Sequence, residues 1–145
     1  MDSIDREIID HLVEDGRLSN LELATRIGLS PSSCLRRVRN LEQRGVIRGY
    51  RAIINDDALG RGFKVTAYVD LGPIESATIQ AFENAVVSLP EIIECRRMMG
   101  TPDYVLLVAA ADLVDYEKLY ADKLSSLPGI SRIRSQIAMK TVKSG

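Results

Sequence analysis

Between positions 30 and 51 the chain sets six arginines (Arg36, Arg37, Arg39, Arg44, Arg48 and Arg51) against one acid, Glu42. Guanidinium groups at this density do two kinds of chemistry. They pair bidentately with planar acceptors such as the edge of guanine, and they hold phosphate oxygens. The formal net charge of the whole chain is only −1, so the basic character is local. Residues 1–51 carry nine Lys/Arg against eight Asp/Glu, and residues 52–145 carry ten against twelve. A stripe of this kind suits a phosphate backbone better than a general polyanion, which would be met by charge spread over the surface. The plain alternative is a solvated arginine-rich helix face, since charge runs usually are that.

Other chemistry is sparse. The one histidine, His11, lies beside an apolar stripe and is expected to be a partly buried structural residue. Cys34 and Cys95 stand alone without CxxC or His-rich company, so neither a disulfide nor a zinc site is expected, and both should be reduced and half-buried. Glu91 and Glu94 read as solvent-facing charges of one short strand. No G-x-S-x-G, P-loop, paired metal ligands or nucleophile–base pair occurs, which speaks against an enzyme. Gly100-Thr101-Pro102-Asp103-Tyr104 reads most simply as a β-turn, with Pro102 at its second position and Asp103 bonding its own backbone.

The arginines must be positioned by helices. Ile4, Ile8, Ile9, Leu12 and Val13 recur at helical spacing, and Gly16 is the expected stop. Ser19-Asn20-Leu21-Glu22 is a capping box that opens a short second helix, with Leu21, Leu23, Ala24 and Ile27, ending at Gly28. Only Gly28-Leu29 separates it from Ser30-Pro31, a cap followed by proline at the first helical position. A two-turn helix thus meets a longer one across a three-residue connection, the helix-turn-helix spacing. On the third helix Cys34, Leu35, Val38 and Leu41 share the inward arc. Ser32, Ser33, Arg36, Asn40 and Gln43 share the opposite one, flanked by Arg37 and Arg39. Gly45 ends this helix, and VIRGYRAII reads as a short wing or strand leading out of the domain.

Turn-rich Asn55-Asp56-Asp57 and Gly60-Arg61-Gly62 mark a boundary. The expected division is a DNA-binding domain at 1–51, a linker at 52–62 and a second domain at 63–145. The second half holds an internal repeat: Ser88-Leu89-Pro90-Glu91-Ile92 and Ser126-Leu127-Pro128-Gly129-Ile130 lie 38 residues apart. Each closes a helical pattern (Ile79, Phe82, Val86; Tyr116, Leu119, Tyr120, Leu124) and opens a strand. Phe63, Val65, Ala67, Val69 and Leu71 alternate with polar positions, and 104–110 is continuously apolar. This gives βαββαβ, a ferredoxin-like α+β arrangement with one antiparallel sheet and both helices on one face. A strand over 130–141 should turn Ile133, Ile137 and Met139 to one side and Arg132, Arg134, Gln136 and Ala138 to the other. The uncovered face or edge calls for a partner, most simply a second copy of the chain. No apolar run approaches the ~20 residues of a membrane span. The acidic N-terminus lacks the basic-then-apolar pattern of a secretory signal, so the expected compartment is the cytoplasm.

A winged helix-turn-helix followed by a βαββαβ domain resembles the Lrp/AsnC family of bacterial and archaeal transcription regulators. The quoted matches are GRLSNLELATRIGLSPSSCLRRVRNLEQRGVIRGY and GTPDYVLLV, and the resemblance covers essentially the whole chain. It implies sequence-specific binding to double-stranded DNA at a roughly palindromic site, a nucleoid association, and regulation by a small effector, usually a free amino acid. It implies homodimers, commonly assembling to octamers, with no other cofactor and no membrane. In the major groove the base readers would be Ser32, Ser33, Arg36 and Asn40. Arg37, Arg39, Arg44, Arg48 and Arg51 would meet phosphates, joined by the helix N-termini at Ser19 and Ser30. The loop Gly100–Tyr104 would border the effector. Gly100 and Thr101 would donate to a carboxylate, Asp103 would meet an ammonium, and Tyr104 would supply a wall or hydroxyl. Met99, Gln136 and Ala138 are added by position on the adjoining strands. Two other readings remain open: a basic helix that meets an acidic protein, and a small-molecule enzyme with an accessory helix-turn-helix head.

Overall fold

The computed structural model describes residues 1–143. The chain divides into two units, one spanning Met1–Ile53 and the other beginning at Ile54.

The first unit is helical: α1 (Ser3–Glu14), α2 (Asn20–Arg26) and α3 (Pro31–Gln43). All three helices start where a side chain accepts from the first turn: Asp2 from Asp5, Ser19 from Glu22, and Ser30 from Ser33. The first two are reciprocal capping boxes, which satisfy two orphan donors each. Helix α1 ends at Glu14 with Asp15 as its cap, one residue ahead of the expected Gly16. Helices α2 and α3 end in the same way. Leu29 N–H donates to Ala24 C=O at 2.9 Å and Gly28 N–H to Thr25 C=O at 3.4 Å. Val46 N–H donates to Leu41 C=O at 2.9 Å and Gly45 N–H to Glu42 C=O, also at 2.9 Å. These are Schellman closures. They need a left-handed residue, supplied by Gly28 at φ 69 and Gly45 at φ 68. Helix α3 is therefore bracketed at both ends by backbone geometry that glycine permits at little cost. Ile8, Leu23, Ala24, Cys34 and Leu41 form the core beneath it.

Leu35 and the segment after Gly45 depart from expectation in this unit. Leu35 does not pack inward with Cys34 and Leu41; it is 37% exposed at the edge of the core. The segment after Gly45 forms no strand. A β-ladder needs a neighbour, and here the amides of Val46 and Ile47 are taken by the Leu41 carbonyl while Tyr50 Oη donates to Glu42.

In the second unit a 3-10 turn at Asp57–Leu59 precedes β1 (Phe63–Leu71), α4 (Ser76–Val87), β2 (Ile92–Arg97), β3 (Tyr104–Ala110), α5 (Leu113–Asp122) and β4 (Ile130–Ile137). Asp56 pairs with Lys64 at the start of β1, so part of the stretch expected as linker is fastened to the sheet. The strand order is β2-β3-β1-β4, antiparallel at every pairing. That is the expected ferredoxin-like arrangement. Period-two burial along β1 sends Val65, Ala67, Val69 and Leu71 into a core shared with Phe82, Val86, Leu106, Val108, Tyr116 and Leu119. Strand β4 stops at Ile137, short of the expected 141, because its partner β1 begins at Phe63 and Ile137 already pairs with Val65. Ala138 and Met139 lie past the ladder, and Ile137 and Met139 are exposed, which leaves Ile133 to pack on the core.

The other sheet face carries Thr66, Tyr68, Val105, Leu107, Arg132 and Arg134, with the Arg134 guanidinium 5.8 Å from the centre of the Tyr68 ring. Val105, Leu107 and Tyr68 remain only half-buried there. The cysteines differ from expectation in opposite senses: Cys34 is fully buried and Cys95 is exposed. Glu91 is not a free surface charge. It pairs with Lys123, and that contact holds its carboxyl below the usual range against a smaller opposing effect of burial. Glu91 itself precedes β2, within which Glu94 pairs with Arg96.

Candidate nucleic-acid interface and effector pocket

Helix α3 presents a shallow groove of about 350 Å³ lined by Ser32, Leu35, Arg36, Arg39, Asn40 and Gln43. Leu35 is the apolar residue among these, and the others are polar or charged. The spacing 32, 36, 40, 43 sets these side chains one above the other on a single helical stripe. Arg36 and Arg39 are exposed and make no ion pair among the described residues. Arg44 Nη1 reaches Asn40 Oδ1 only at 3.5 Å. Arg48 and Arg51 are exposed on the tail that follows. This is a row of donors with few internal acceptors, and it suits an external one.

The remaining predicted contacts stand differently. Ser30 and Ser32 are exposed, with hydroxyls 3.3 Å apart, and Ser30 Oγ also accepts the amide of Ser33 at 3.3 Å. Ser33 is half-buried. At Ser19 the capping box fills the site: Ser19 Oγ accepts from Glu22 N–H at 3.2 Å, and Glu22 Oε2 accepts from Ser19 N–H at 2.8 Å. These bonds to Ser19, first to its backbone and then to its side chain, hold the Glu22 carboxyl below its usual range. A carboxylate stands where a phosphate was expected. Arg37 is tied up as well: its Nη1 lies 2.9 Å from Asp2 Oδ2 and 2.8 Å from Asp5 Oδ1. Asn20 locks the turn by donating Nδ2–H to the Pro31 carbonyl at 2.8 Å. Sequence reading missed Asn20 as anything but part of a cap, because its partner lies eleven residues on.

In the second unit the loop between β2 and β3 closes through Met98 N–H to Asp103 C=O at 2.8 Å, with a cis peptide between Thr101 and Pro102. Asp103 Oδ2 accepts the amide of Leu71 at 2.8 Å, which fastens the loop to the end of β1. Beside it lies a concavity of about 290 Å³ lined by Leu71, Ile74, Ile79, Arg97, Met98, Gly100, Asp103 and Tyr104. Tyr104 is buried, with its ring 4.6 Å from that of Phe82, and its hydroxyl donates to Glu83 Oε1 at 2.6 Å. Burial first, and then the acceptor Glu83, push its pKa up to about 12. Tyr104 is thus a neutral anchor for the pocket wall, and its proton is already placed.

The structure brings Gly100, Asp103 and Tyr104 together. It does not bring the others to the same concavity. Met99 is fully exposed. Thr101 is exposed on the loop, while Gln136 pairs with Thr66 on β1, in the strand beyond β3 and towards the opposite end of the sheet from the loop. Ala138 lies past β4. The residue that sequence reading missed is Arg97. It stands at the end of β2 with its side chain 59% exposed and only a loose 3.8 Å approach to Glu83. An arginine immediately ahead of a Gly-containing loop was the available signal. An apolar wall, one loosely held guanidinium and one carboxylate form a set that could grip both ends of a small zwitterion.

Comparison with known proteins finds a match for each half of the chain. Residues 65–145 match the model of the Lrp/AsnC ligand binding domain, and residues 1–48 match a winged helix-turn-helix DNA-binding model. The chain is 41% identical over 143 residues to the leucine-responsive regulatory proteins of Klebsiella pneumoniae and Escherichia coli, covering 99% of this chain and 87% of each of those. Among solved structures, a transcriptional regulator of Neisseria meningitidis in complex with L-Met superposes with a TM-score of 0.93 at 31% identity, covering 99% of this chain and 93% of that one. An AsnC family transcriptional regulator of Agrobacterium tumefaciens gives 0.90 at 30% identity, covering 99% and 94%.

Proposed function

The chain belongs to the Lrp/AsnC family of DNA-binding transcription regulators, and from that premise we propose which residues carry its DNA reading and its response to an amino acid. Arg36, with Ser32 and Asn40 on the same stripe, reads base edges in the major groove, where a guanidinium meets guanine bidentately. Arg39, Arg44, Arg48 and Arg51 hold phosphates, which fix register without reading sequence. The observation that carries this assignment is the exposed, ion-pair-free state of Arg36 and Arg39 along one groove of α3. Its test is selection of duplexes from random sequence at two salt concentrations, with wild type set against Arg36→Ala. Emergence of an approximately palindromic site whose preference the variant loses supports the assignment. Wild type without affinity for any duplex at low salt overturns it.

The effector is a free amino acid seated beside the β2–β3 loop. Arg97 takes its carboxylate, the second oxygen of Asp103 takes its ammonium, and Leu71, Ile74, Ile79 and Met98 receive an apolar side chain. Thr101, Met99, Gln136 and Ala138 lie outside this concavity and are not needed for it. The bare sheet face with Tyr68, Val105, Leu107 and Arg134 pairs two chains. It sets two reading helices on successive major-groove faces about 34 Å apart. Dimers assemble further, as octamers, and the effector acts by binding one assembly state more tightly than another. The sheet unit acts as a sensor and not as a catalyst. No helix among the described residues is long and apolar enough to cross a membrane, and the working compartment is the cytoplasm, at the nucleoid.

A further inference from the structure

The six-arginine cluster contains one member that behaves unlike the rest. Arg37 Nη1 lies 2.8 Å from Asp5 Oδ1 and 2.9 Å from Asp2 Oδ2, partners 32 and 35 residues away. Those carboxylates already form the capping box of α1: Asp2 Oδ1 accepts from Asp5 N–H at 2.9 Å, and Asp5 Oδ2 accepts from Asp2 N–H at 3.2 Å. Each carboxylate therefore spends one oxygen on the cap and the other on Arg37. The helix N-terminus favours both negative charges, so the acids are held in place before the arginine arrives. Side-chain exposure is 28% for Arg37 and 13% for Asp5, whereas Arg36 and Arg39 are exposed and make no ion pair among the described residues.

We infer that Arg37 is a positioning residue, which clamps the reading helix α3 to the first turn of α1 through Asp2 and Asp5, and is not one of the cations that meet DNA. The inference rests on α3 being the reading helix. Apolar contact among Ile8, Cys34 and Leu41 joins the same two helices, but it is non-directional and tolerates small rotations. A guanidinium held between two fixed carboxylates is directional. It sets the roll of α3, and with it the direction in which Arg36 and Asn40 point. For Arg37 to bind a phosphate it would have to leave two carboxylates uncovered at the interface, where they would repel the backbone. The clamp leaves five arginines of the six in residues 30–51 for DNA.

The test uses the full chain and a labelled duplex carrying a selected site, beside a scrambled duplex, across a salt series and at a temperature where circular dichroism shows every variant folded. The variants are Arg37→Ala, Arg37→Lys, the pair Asp2→Asn with Asp5→Asn, and the triple combination with Arg37→Ala. Asparagine keeps one acceptor oxygen for each cap, and it removes the charge and puts an amide donor in place of the oxygen that accepts from Arg37. Under the clamp, Arg37→Ala and the double asparagine variant each weaken specific binding about two- to fivefold, the range of a partly exposed ion pair. Each narrows the ratio of specific to scrambled binding, the triple variant is no worse than either, Arg37→Lys recovers part of the loss, and the salt slope stays at the wild-type value. A phosphate contact gives the opposite signs. Arg37→Ala then lowers the salt slope by about 0.9 per protomer, and the double asparagine variant binds more tightly because it frees a cation. Either of those results, or no change in any variant, overturns the inference. Wild type that fails to bind at low salt is a different result: it removes the reading-helix assignment itself, and the clamp's role with it.

Discussion

Arg36→Ala and Arg39→Ala differ by three positions on one helix, and they should fail in different ways. Both side chains are exposed and make no ion pair among the described residues, so neither substitution removes a described contact that holds the fold. Thermal unfolding should move by no more than about 0.5 kcal/mol equivalent in either case. Arg36 lies on the central stripe with Ser32, Asn40 and Gln43. Removal of one bidentate base contact there costs about 1–3 kcal/mol per half-site, or roughly 5- to 150-fold in affinity for each half-site of the preferred duplex. Affinity for a scrambled duplex should change little. Arg39 lies towards the flank, and its loss should weaken preferred and scrambled duplexes alike while lowering the salt slope by about 0.9 per half-site. Fluorescence anisotropy on the two duplexes at four or more salt concentrations gives both numbers for both variants. If Arg36→Ala weakens both duplexes equally and reduces the slope, Arg36 is a phosphate contact and the reading stripe has been assigned to the wrong side of α3.

Further outcomes follow from particular contacts. Ser19→Ala removes the acceptor for the Glu22 amide and should cost about 1 kcal/mol, read as a fall in the urea midpoint of the helical unit, with the preference between selected and scrambled duplexes kept. Arg97→Gln and Asp103→Asn should each abolish any effect of amino acids on DNA affinity while leaving the ligand-free affinity at the wild-type value; a full amino-acid response in both would remove the proposed pocket. Phe82 is fully buried against Tyr104, and Phe82→Ala should destabilise the sheet unit by about 3–5 kcal/mol in chemical denaturation. The Tyr104 hydroxyl, pushed from its ordinary value near 10.0 up to about 12 by burial and by Glu83, gives a sign for alkaline unfolding. Below pH 10 both states keep the proton and the contribution is complete. Between 10 and about 12 the unfolded chain ionises first, and stability is lost as pH rises. Tyr104→Phe should flatten that part of the stability curve; an unchanged slope would mean that another group titrates there.

What could be read from the sequence was set by how far apart the deciding groups lie. The helix-turn-helix was legible because its signals are local. Ser19 meets Glu22, Ser30 meets Ser33, and Gly28 and Gly45 close their helices through partners within five residues. Period-two alternation likewise gave β1, whose burial it reproduces. Failures came where a distant partner decides. The β-branched run after Gly45 looked like a strand, but strand propensity describes a half-buried pleated surface, and no ladder neighbour is there. The end of β4 was set by where β1 begins, which no property of residues 138–141 encodes.

The same rule separates the two halves of the candidate site. Which residues of α3 face outward follows from 100° per residue, so Ser32, Arg36 and Asn40 could be named without a structure. Which of the outward arginines is free cannot be found that way, because the acids that engage Arg37 precede it by more than thirty residues. Composition counted six equivalent cations where the fold keeps five and uses one internally. In the sheet unit, Gln136 and Ala138 are expected near the loop by strand position alone, with no motif behind them. The order β2-β3-β1-β4 puts β4 at the opposite edge from β2, and Arg97, at the end of β2, takes their place in the pocket. The proposed effector chemistry therefore moves from backbone donors and an amide to a guanidinium. An arginine-held carboxylate predicts that amino acid amides, which lack that charge, bind at least tenfold more weakly than the free acids, since the ionic contact would be lost at about 1.5–3 kcal/mol. Equal responses to leucine and leucinamide would remove Arg97 from the pocket and return the carboxylate to the loop.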